Sequence, residues 1–257
     1  MQDLFSIKGK VALVTGGGRG IGAMIAEGFV RAGAKTYIAG RKAETLGDTA
    51  KHLSEHGECI LFAADLSSET GCRALADEIA KREQKLDVLV NNAGATWGGP
   101  LNEYPDAAFD RCWDLNVRGV FHLTRFLLPL LEKAASAESP ARVINIGSID
   151  GIRVPAVENY AYAASKAAVH QLTRVLSRKL APSHITVNAI APGPFDTKMM
   201  HQTIERFGAA IRSQCPMGRI GEPEDLAGTA IFLSSRASSY ITGAVIPVDG
   251  GISTDHE

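Results

Sequence analysis

Short apolar segments alternate with longer segments of helical period along most of the chain. The apolar segments are rich in Val, Ile and Leu and cover residues 11–15, 36–39, 60–63, 88–91, 143–146, 186–190 and 245–248. The helical patterns cover residues 21–32, 43–55, 69–84, 107–131, 160–180 and 224–233. Continuously apolar strands joined by helices are typical of a parallel sheet buried on both faces. The pattern therefore predicts an α/β fold with a doubly wound, seven-stranded parallel sheet and helices on both faces.

The whole chain, residues 1–257, is predicted to form a single domain, because no Pro/Ser-rich linker, low-complexity segment or internal repeat divides it. Two long segments, residues 95–105 and 193–221, lack strong periodicity. Long loops on α/β domains are often lids or binding loops, so a substrate lid is predicted at about residues 194–220. Apolar side chains of this lid would either line an acyl pocket or serve ordinary packing and subunit contact; they are Met199, Met200, Phe207 and Met217.

The charge balance argues against a strongly basic or acidic protein. With 27 Lys and Arg against 28 Asp and Glu, the formal net charge is −1, so no overall field attracts nucleic acid or an anionic membrane. The four cysteines are scattered without a CxxC pair, which indicates free thiols in a reducing compartment. The sequence shows neither a secretory signal pattern nor an apolar run of membrane-spanning length. We expect a cytoplasmic protein without nucleic-acid or membrane partners.

A glycine-rich loop lies between the first predicted strand and the first predicted helix. Residues 15–22 read Thr-Gly-Gly-Gly-Arg-Gly-Ile-Gly. Glycines let a phosphate approach backbone N–H groups at the positive end of the following helix, as in dinucleotide-binding Rossmann folds. The alternative is a tight turn that only allows strand and helix to pack closely. The strand before the loop and the helix after it favour dinucleotide binding.

The end of the second predicted strand indicates which dinucleotide would bind. NAD-binding folds commonly place Asp or Glu here to hold the ribose 2′-hydroxyl, but this chain has Arg41 and Lys42. Together with Arg19 of the glycine-rich loop, these cations suit a 2′-phosphate. Taken singly they could be ordinary solvated side chains. Two arginines at one predicted pocket favour NADP(H) over NAD(H).

Tyr162 and Lys166 are four residues apart on a predicted helix, so their side chains lie on one face. A nearby ammonium stabilises a phenolate and lets a tyrosine act as an acid or base near neutral pH. Ser148 follows the fifth predicted strand, where its hydroxyl could donate a hydrogen bond to a substrate oxygen. Each residue alone is equally compatible with an ordinary helix face or turn, so the interpretation depends on the set.

His52 and His56 are also four residues apart on a predicted helix. The acid of an HExxH motif and a third ligand are both missing from the pattern. A solvated helix face is the expected role of this pair, and no metal site is predicted.

The motifs occur together in the order and spacing of one family. The chain carries, in sequence, Thr15-Gly16-x-x-x-Gly20-x-Gly22, Asp65, Asn91-Asn92-Ala93-Gly94, Asn116, Ser148, Tyr162-Ala163-Ala164-Ser165-Lys166 and Pro192-Gly193. Over essentially its whole length it resembles the short-chain dehydrogenase/reductase family. The resemblance implies a catalytic set of Asn116, Ser148, Tyr162 and Lys166. Tyr162 would be the acid/base and Ser148 would orient the carbonyl. Lys166 would hold the nicotinamide ribose and lower the pKa of Tyr162, while Asn116 would anchor a proton-relaying water.

The same resemblance implies a cofactor groove along the carboxyl ends of the strands. Asp65 and Leu66 would contact the adenine, and Phe195 and Thr197 would hold the nicotinamide carboxamide. The full expected set of cofactor-binding residues is Gly16, Gly18, Arg19, Gly20, Ile21, Gly22, Arg41, Asp65, Leu66, Asn92, Ala93, Gly94, Tyr162, Lys166, Pro192, Gly193, Phe195 and Thr197. Members of this family are commonly tetramers, so the resemblance also implies a homotetramer.

Residues 95–98, 137–148, 216–219 and 245–251 are similar to bacterial 3-oxoacyl-acyl-carrier-protein reductases, particularly the branch associated with rhamnolipid biosynthesis. This implies an NADP(H)-dependent oxidoreductase of fatty acid metabolism that transfers hydride between nicotinamide and a carbonyl or secondary alcohol. A 3-oxoacyl thioester is the leading substrate, with acyl carrier protein as a candidate partner. Two alternatives stay open: a dehydrogenase/reductase of another small ketone, sugar, polyol or steroid, and a non-catalytic cofactor-binding regulatory protein. Asp150 differs from the small or apolar residue expected there, and an acid at this place would disfavour an anionic ligand.

Overall fold

The computed structural model describes residues 4–198 and 200–254, and in this part of the chain seven strands form one parallel sheet. The strands are β1 (Val11–Thr15), β2 (Lys35–Gly40), β3 (Cys59–Ala63), β4 (Val88–Asn91), β5 (Ala141–Ile146), β6 (Ile185–Pro192) and β7 (Val245–Val248). Their order is β3-β2-β1-β4-β5-β6-β7, with every neighbouring pair parallel. The predicted fold class is confirmed. Met199, one of the apolar side chains of the predicted lid, lies outside the described residues.

Helices cover both faces of the sheet. They are α1 (Gly20–Arg31), α2 (Ala43–Leu53), α3 (Glu69–Arg82), α4 (Asp106–Trp113), α5 (Gly119–Ala134), α6 (Tyr160–Leu180), α7 (His201–Gln214) and α8 (Pro223–Ser234). Successive strand residues point to opposite faces, so Leu13 packs in one hydrophobic layer with α3 and α5, and Val14 in another with α1, α2 and α8. Because both faces are covered, the central strands read as unbroken apolar runs.

The helix predicted over residues 107–131 is interrupted. The structure has α4, then a π-helical turn at Asp114–Arg118, then α5. The turn brings Asn116 into the protein interior, and Gly119 follows at a place where any Cβ would overlap the backbone oxygen of Leu66. An inserted residue within one turn leaves the apolar period on both sides nearly intact, so the sequence pattern did not reveal it. Such π-turns are frequent at functional sites.

The segment predicted to lack regular structure after β6 contains α7. The apolar positions that could signal this helix are Ile204, Phe207 and Ile211, and Phe207 is 51% exposed. Most described side chains of α7 face solvent. A helix that buries so little carries a weak amphipathic pattern, which is why this prediction was wrong.

The four cysteines are free, as predicted; three are buried and Cys59 is partly exposed. Burial raises the pKa of the Cys59 and Cys72 thiols to about 11, so both stay protonated near neutral pH. In the described ranges, no helix is long and apolar enough to cross a bilayer.

The strand order locates a crevice in the sheet. From β1 the chain proceeds to β2 and β3 on one side, then returns to place β4 on the other side of β1. Doubly wound α/β folds bind ligands where the order reverses in this way, beyond the carboxyl ends of the strands. Thr15 and Asn91 end the two strands that flank this crevice.

Candidate active site

The glycine-rich loop joins β1 to α1 at the crevice. Gly16 has a φ of +66°, and a Cβ on it would stand 2.7 Å from Asn92 Nδ2 and 3.0 Å from Ala93 Cα. A Cβ on Gly22, in the first turn of α1, would overlap the same Asn92 amide. Only glycine therefore lets this loop pack directly on the segment that follows β4.

The amino end of α1 is open to a ligand. Arg19 is the N-cap residue, no described side chain caps the helix, and its first turn holds no acidic residue. Unpaired N–H groups at a helix amino terminus favour an anion such as phosphate. Thr49 of α2 donates its hydroxyl to the Gly18 oxygen at 2.8 Å and fixes the middle of the loop. The partly buried side chain of Ile21 packs against the hydrophobic layer that contains Val14.

The predicted determinants of the adenosine end lie on neighbouring loops. Arg19 and Arg41 are exposed, and neither forms an ion pair with a described residue. Asp65 is also exposed, and its pKa is lowered, first by the Ser67 hydroxyl that donates to it at 2.8 Å and in smaller part by Arg41. Leu66, in contrast, is buried in the core. The two guanidinium groups are thus available to an anionic ligand.

The Thr15 hydroxyl ties the ends of β1 and β4 together. Its Oγ1 accepts hydrogen bonds from the N–H groups of Asn92 at 2.9 Å and Ala93 at 3.0 Å. The Asn92 side-chain amide donates in turn to the Thr15 oxygen at 2.8 Å. Thr15 stood in the sequence motif without an assigned role; the structure shows that it holds the two halves of the crevice in register.

Asn116 is buried in the π-helical turn, where its side chain is fully engaged. Its Oδ1 accepts from Ala95 N at 2.8 Å, and its Nδ2 donates to Ala95 O at 2.9 Å and to Ser165 Oγ at 2.8 Å. Gly94 borders the same place, since a Cβ on it would stand 3.3 Å from Asn116 Oδ1 and 3.7 Å from Lys166 Nζ. The structure therefore brings Asn116 together with the helix that carries Tyr162 and Lys166.

Ser148 is the extended residue between β5 and a short 3₁₀ turn, Ile149–Gly151. Its Oγ accepts a hydrogen bond from Asp150 N at 3.1 Å. Because this bond fills an acceptor position, the serine keeps its own hydroxyl proton for donation to another oxygen. The Ser148 hydroxyl also lies close enough to Tyr162 to counteract part of the rise in the pKa of its phenol.

Tyr162 is the third residue of α6, and its side chain is partly buried. Burial raises the pKa of Tyr162 to about 12, opposed by the nearby Ser148 hydroxyl and assisted by the negative charge of Asp150. The phenol therefore carries its proton near neutral pH. The expected lowering of this pKa by Lys166 stays a prediction.

Lys166 is buried one turn after Tyr162. Its Nζ donates to Ile146 O at 2.7 Å and lies 5.6 Å from the centroid of the Tyr162 ring. Burial lowers the pKa of Lys166 to about 8. The amine therefore titrates within the range in which enzymes work, and its charge is placed beside the phenol.

His170 was not among the predicted site residues. Its buried ring fills the space beneath the Ser148 loop, where a Cβ on Gly147 would overlap the ring and one on Gly151 would stand 2.9 Å from Cε1. Burial lowers the pKa of His170 to about 4, so the ring is neutral. Its position four residues after Lys166, on the same helix face, was the signal available in the sequence.

The segment after β6 closes the other side of the crevice. Pro192 ends β6, and the N–H of Gly193 donates to β7 at 3.0 Å. Phe195 is buried, and Thr197 lies over the glycine-rich loop, because a Cβ on Gly20 would stand 3.3 Å from Thr197 Cγ2. The base of the predicted lid thus meets the predicted cofactor loop.

The described residues contain no group of three or more His, Cys, Asp or Glu side chains that could hold a metal ion. His56 contacts Arg31 at 2.8 Å, and its ring packs edge-on against His52.

The chain is similar to known proteins over nearly its whole length. A family model described as enoyl-(acyl carrier protein) reductase matches residues 16–253. The chain is 50% identical to the rhamnolipids biosynthesis 3-oxoacyl-[acyl-carrier-protein] reductase of Pseudomonas aeruginosa, over 98% of this chain and 99% of that protein. It is 38% identical to a 2-dehydro-3-deoxy-D-gluconate 5-dehydrogenase of Pseudoalteromonas atlantica, over 98% of each.

Among solved structures, the Pseudomonas aeruginosa RhlG/NADP active-site complex superposes with a TM-score of 0.96 at 49% identity, over 98% of this chain and 100% of that one. The family resemblance expected from the motifs is thereby confirmed over nearly the full length. The chain belongs to the short-chain dehydrogenase/reductase family.

Proposed function

We propose that the protein is an NADP(H)-dependent carbonyl reductase whose substrate is a 3-oxoacyl thioester. The observation that carries the reaction type is the grouping of Ser148, Tyr162 and Lys166 beside the crevice between β1 and β4. The 50% identity to the Pseudomonas aeruginosa 3-oxoacyl reductase supports the thioester as the substrate.

The residues at the crevice fit NADP(H). Side chains at positions 16 and 22 would collide with the segment after β4, and the amino end of α1 has no side-chain cap. Arg19 and Arg41 are exposed, form no ion pair with a described residue, and are proposed to bind the 2′-phosphate. When bound, NADPH supplies the hydride for the carbonyl carbon. The residues proposed to hold it are Gly16, Gly18, Arg19, Gly20, Ile21, Gly22, Arg41, Asp65, Leu66, Asn92, Ala93, Gly94, Tyr162, Lys166, Pro192, Gly193, Phe195 and Thr197.

Each side chain of the site is proposed to have a separate role at the substrate oxygen. Ser148 donates a hydrogen bond to the carbonyl oxygen, because Asp150 N already occupies its acceptor side. Tyr162 is protonated at neutral pH and passes its proton to that oxygen as negative charge develops there. The ammonium of Lys166 then stabilises the phenolate left on Tyr162. Asn116 anchors the water that relays a proton to Lys166.

The direct test measures oxidation of NADPH, and of NADH in parallel, with a short 3-oxoacyl thioester and a panel of simple ketones and sugars. We expect turnover of the thioester with NADPH at a clearly higher kcat/KM than with NADH. Turnover of other carbonyls but not of the thioester would agree with the proposed mechanism and refute the 3-oxoacyl thioester as the substrate. Cofactor binding without turnover of any compound would instead favour a regulatory protein.

The rate of reduction should fall in alkaline solution. The lowered pKa of Lys166, about 8, means that its charge is present below that pH and is lost above it. Without the ammonium, the phenolate formed on Tyr162 loses its stabilising partner. We expect kcat to be constant below about pH 7 and to fall towards tenfold per pH unit well above pH 8. A kcat that stays level to pH 10, in protein shown to remain folded, would contradict this role.

A second candidate function is supported by the 38% identity to a sugar-acid dehydrogenase. The same catalytic groups would serve a small ketone, sugar, polyol or steroid, because this fold carries many substrates on one reaction centre. The intact Ser148, Tyr162 and Lys166 weigh against a purely regulatory role. The ketone and sugar arms of the assay distinguish these possibilities.

The proposal also covers the substrate lid, the partner, the localisation and the oligomeric state of the enzyme. Residues 194–220 form the substrate lid of one domain that spans residues 1–257, and Met217 and Phe207 expose apolar surface there. Acyl carrier protein is the proposed carrier of the substrate, and the enzyme works as a cytoplasmic homotetramer without nucleic-acid or membrane partners. Gel filtration with light scattering tests the tetramer.

A further inference from the structure

Asp150 is fixed beside the groups that handle the substrate oxygen. It lies in the 3₁₀ turn directly after Ser148, and its N–H donates to the serine Oγ at 3.1 Å. Its carboxylate accepts a hydrogen bond at 2.8 Å from the side-chain amide of Asn159, a buried residue immediately before α6. The carboxylate is therefore held between the serine loop and the start of the helix that carries Tyr162.

The charge of Asp150 is not balanced by a close cation. In the described part of the chain it forms no ion pair within 4.0 Å. Arg153 is three residues away, but its Nη1 donates to the backbone oxygen of Ile252 at 3.2 Å. Asp150 lies beside the reaction centre, since its N–H donates to Ser148 Oγ at 3.1 Å, and its negative charge contributes to the raised pKa of Tyr162.

We propose that Asp150 is a specificity-determining residue that excludes substrates with an anionic group next to the reacting carbonyl. A carboxylate that has no ion-pair partner among the described residues and lies beside the reacting groups repels a second negative charge, whereas a neutral group at the same place is accepted. The inference rests on the proposed function and deepens it: a 3-oxoacyl thioester is neutral around its ketone, while the corresponding free 3-oxo acid is anionic there. Asn159 holds the carboxylate of Asp150 in position through its side-chain hydrogen bond.

A matched pair of small substrates tests this selection. Ethyl acetoacetate and acetoacetate share one 3-oxo skeleton and differ in the charge two bonds from the ketone. We expect the unmodified enzyme to prefer the ester with NADPH. In Asp150→Asn, the ratio of kcat/KM for ester over acid should narrow about tenfold, through faster use of the acid, as removal of one nearby charge implies.

Two variants control the comparison. Asp77→Asn removes one negative charge from an exposed position on α3 and should leave the ratio within twofold. Asp150→Glu keeps the charge and should keep the preference for the ester. An unchanged ratio in Asp150→Asn, or an equal loss for both compounds, would overturn the proposal, since an equal loss is what a merely structural role produces.

Inhibition by product analogues tests the same selection without turnover of the acid or the ester. The inhibition constants of 3-hydroxybutyrate and its ethyl ester are measured against the carbonyl substrate that the enzyme uses best. We expect Asp150→Asn to strengthen inhibition by the acid about tenfold and to leave the ester nearly unchanged. Failure of the proposed function appears separately, as an enzyme that reduces no 3-oxoacyl thioester, whereas failure of this inference appears as an unaltered preference between acid and ester.

Discussion

Replacement of Tyr162 by phenylalanine is expected to lower kcat for carbonyl reduction by about 10³-fold, within the range that a positioned general acid contributes. The variant removes only the hydroxyl, so the ring keeps its place above Lys166 and its packing at the start of α6. Ser148 remains as a hydrogen-bond donor and the cofactor groove is unchanged. The loss should therefore appear in kcat, while the dissociation constant for NADPH changes less than threefold.

Tyr160→Phe is the matched control for this experiment. Tyr160 lies on the same helix two residues earlier, and its exposed hydroxyl contacts Glu158 at 2.8 Å instead of the site. We expect this variant to keep at least half of the activity. Fluorescence titration with NADPH and a thermal unfolding curve establish that both proteins are folded and bind cofactor. Activity of Tyr162→Phe within tenfold of the parent would exclude Tyr162 as the proton donor.

The strands were the most predictable part of the fold. Val11–Thr15 and Val88–Asn91 have the bounds expected from the sequence, because burial on both faces makes a central strand a continuous apolar run with polar residues or glycine at its ends. The edge strand Val245–Val248 also has the expected bounds, although it is only partly buried. The helices were predicted less accurately than the strands. The π-helical turn at Asp114–Arg118 and the exposed helix α7 were missed, since neither changes the apolar period in a way that sequence shows.

The site residues that could be predicted from the sequence are those whose chemistry or size is itself required at the site. Tyr162 and Lys166 share a helix face, and the glycines of residues 16–22 allow an approach that side chains would block. Residues that act through packing were harder to foresee. His170 supports the Ser148 loop from beneath, and its role depends on distances to Gly147 and Gly151 that only the folded chain defines.

Removal of both Arg19 and Arg41 should shift the cofactor preference. Each guanidinium is expected to make charge-assisted hydrogen bonds to the 2′-phosphate, and together these are worth about 3 kcal/mol. For Arg19→Ala/Arg41→Ala we therefore expect the dissociation constant for NADPH to rise about 100-fold, as 1.4 kcal/mol corresponds to a factor of ten. NADH lacks the phosphate, so its dissociation constant should change less than threefold.

The control for this double variant removes the same total charge at the opposite edge of the sheet. Lys51 and Lys133 are exposed and lie in the last turns of α2 and α5, and crossover helices end at the amino edge of a parallel sheet. Lys51→Ala/Lys133→Ala should therefore leave the affinity for both cofactors within threefold. Isothermal titration of the three proteins with NADPH and NADH gives the comparison at one ionic strength. Equal weakening of both cofactors by the arginine changes would show that these side chains hold the shared pyrophosphate, and the preference for NADP(H) would then need another source.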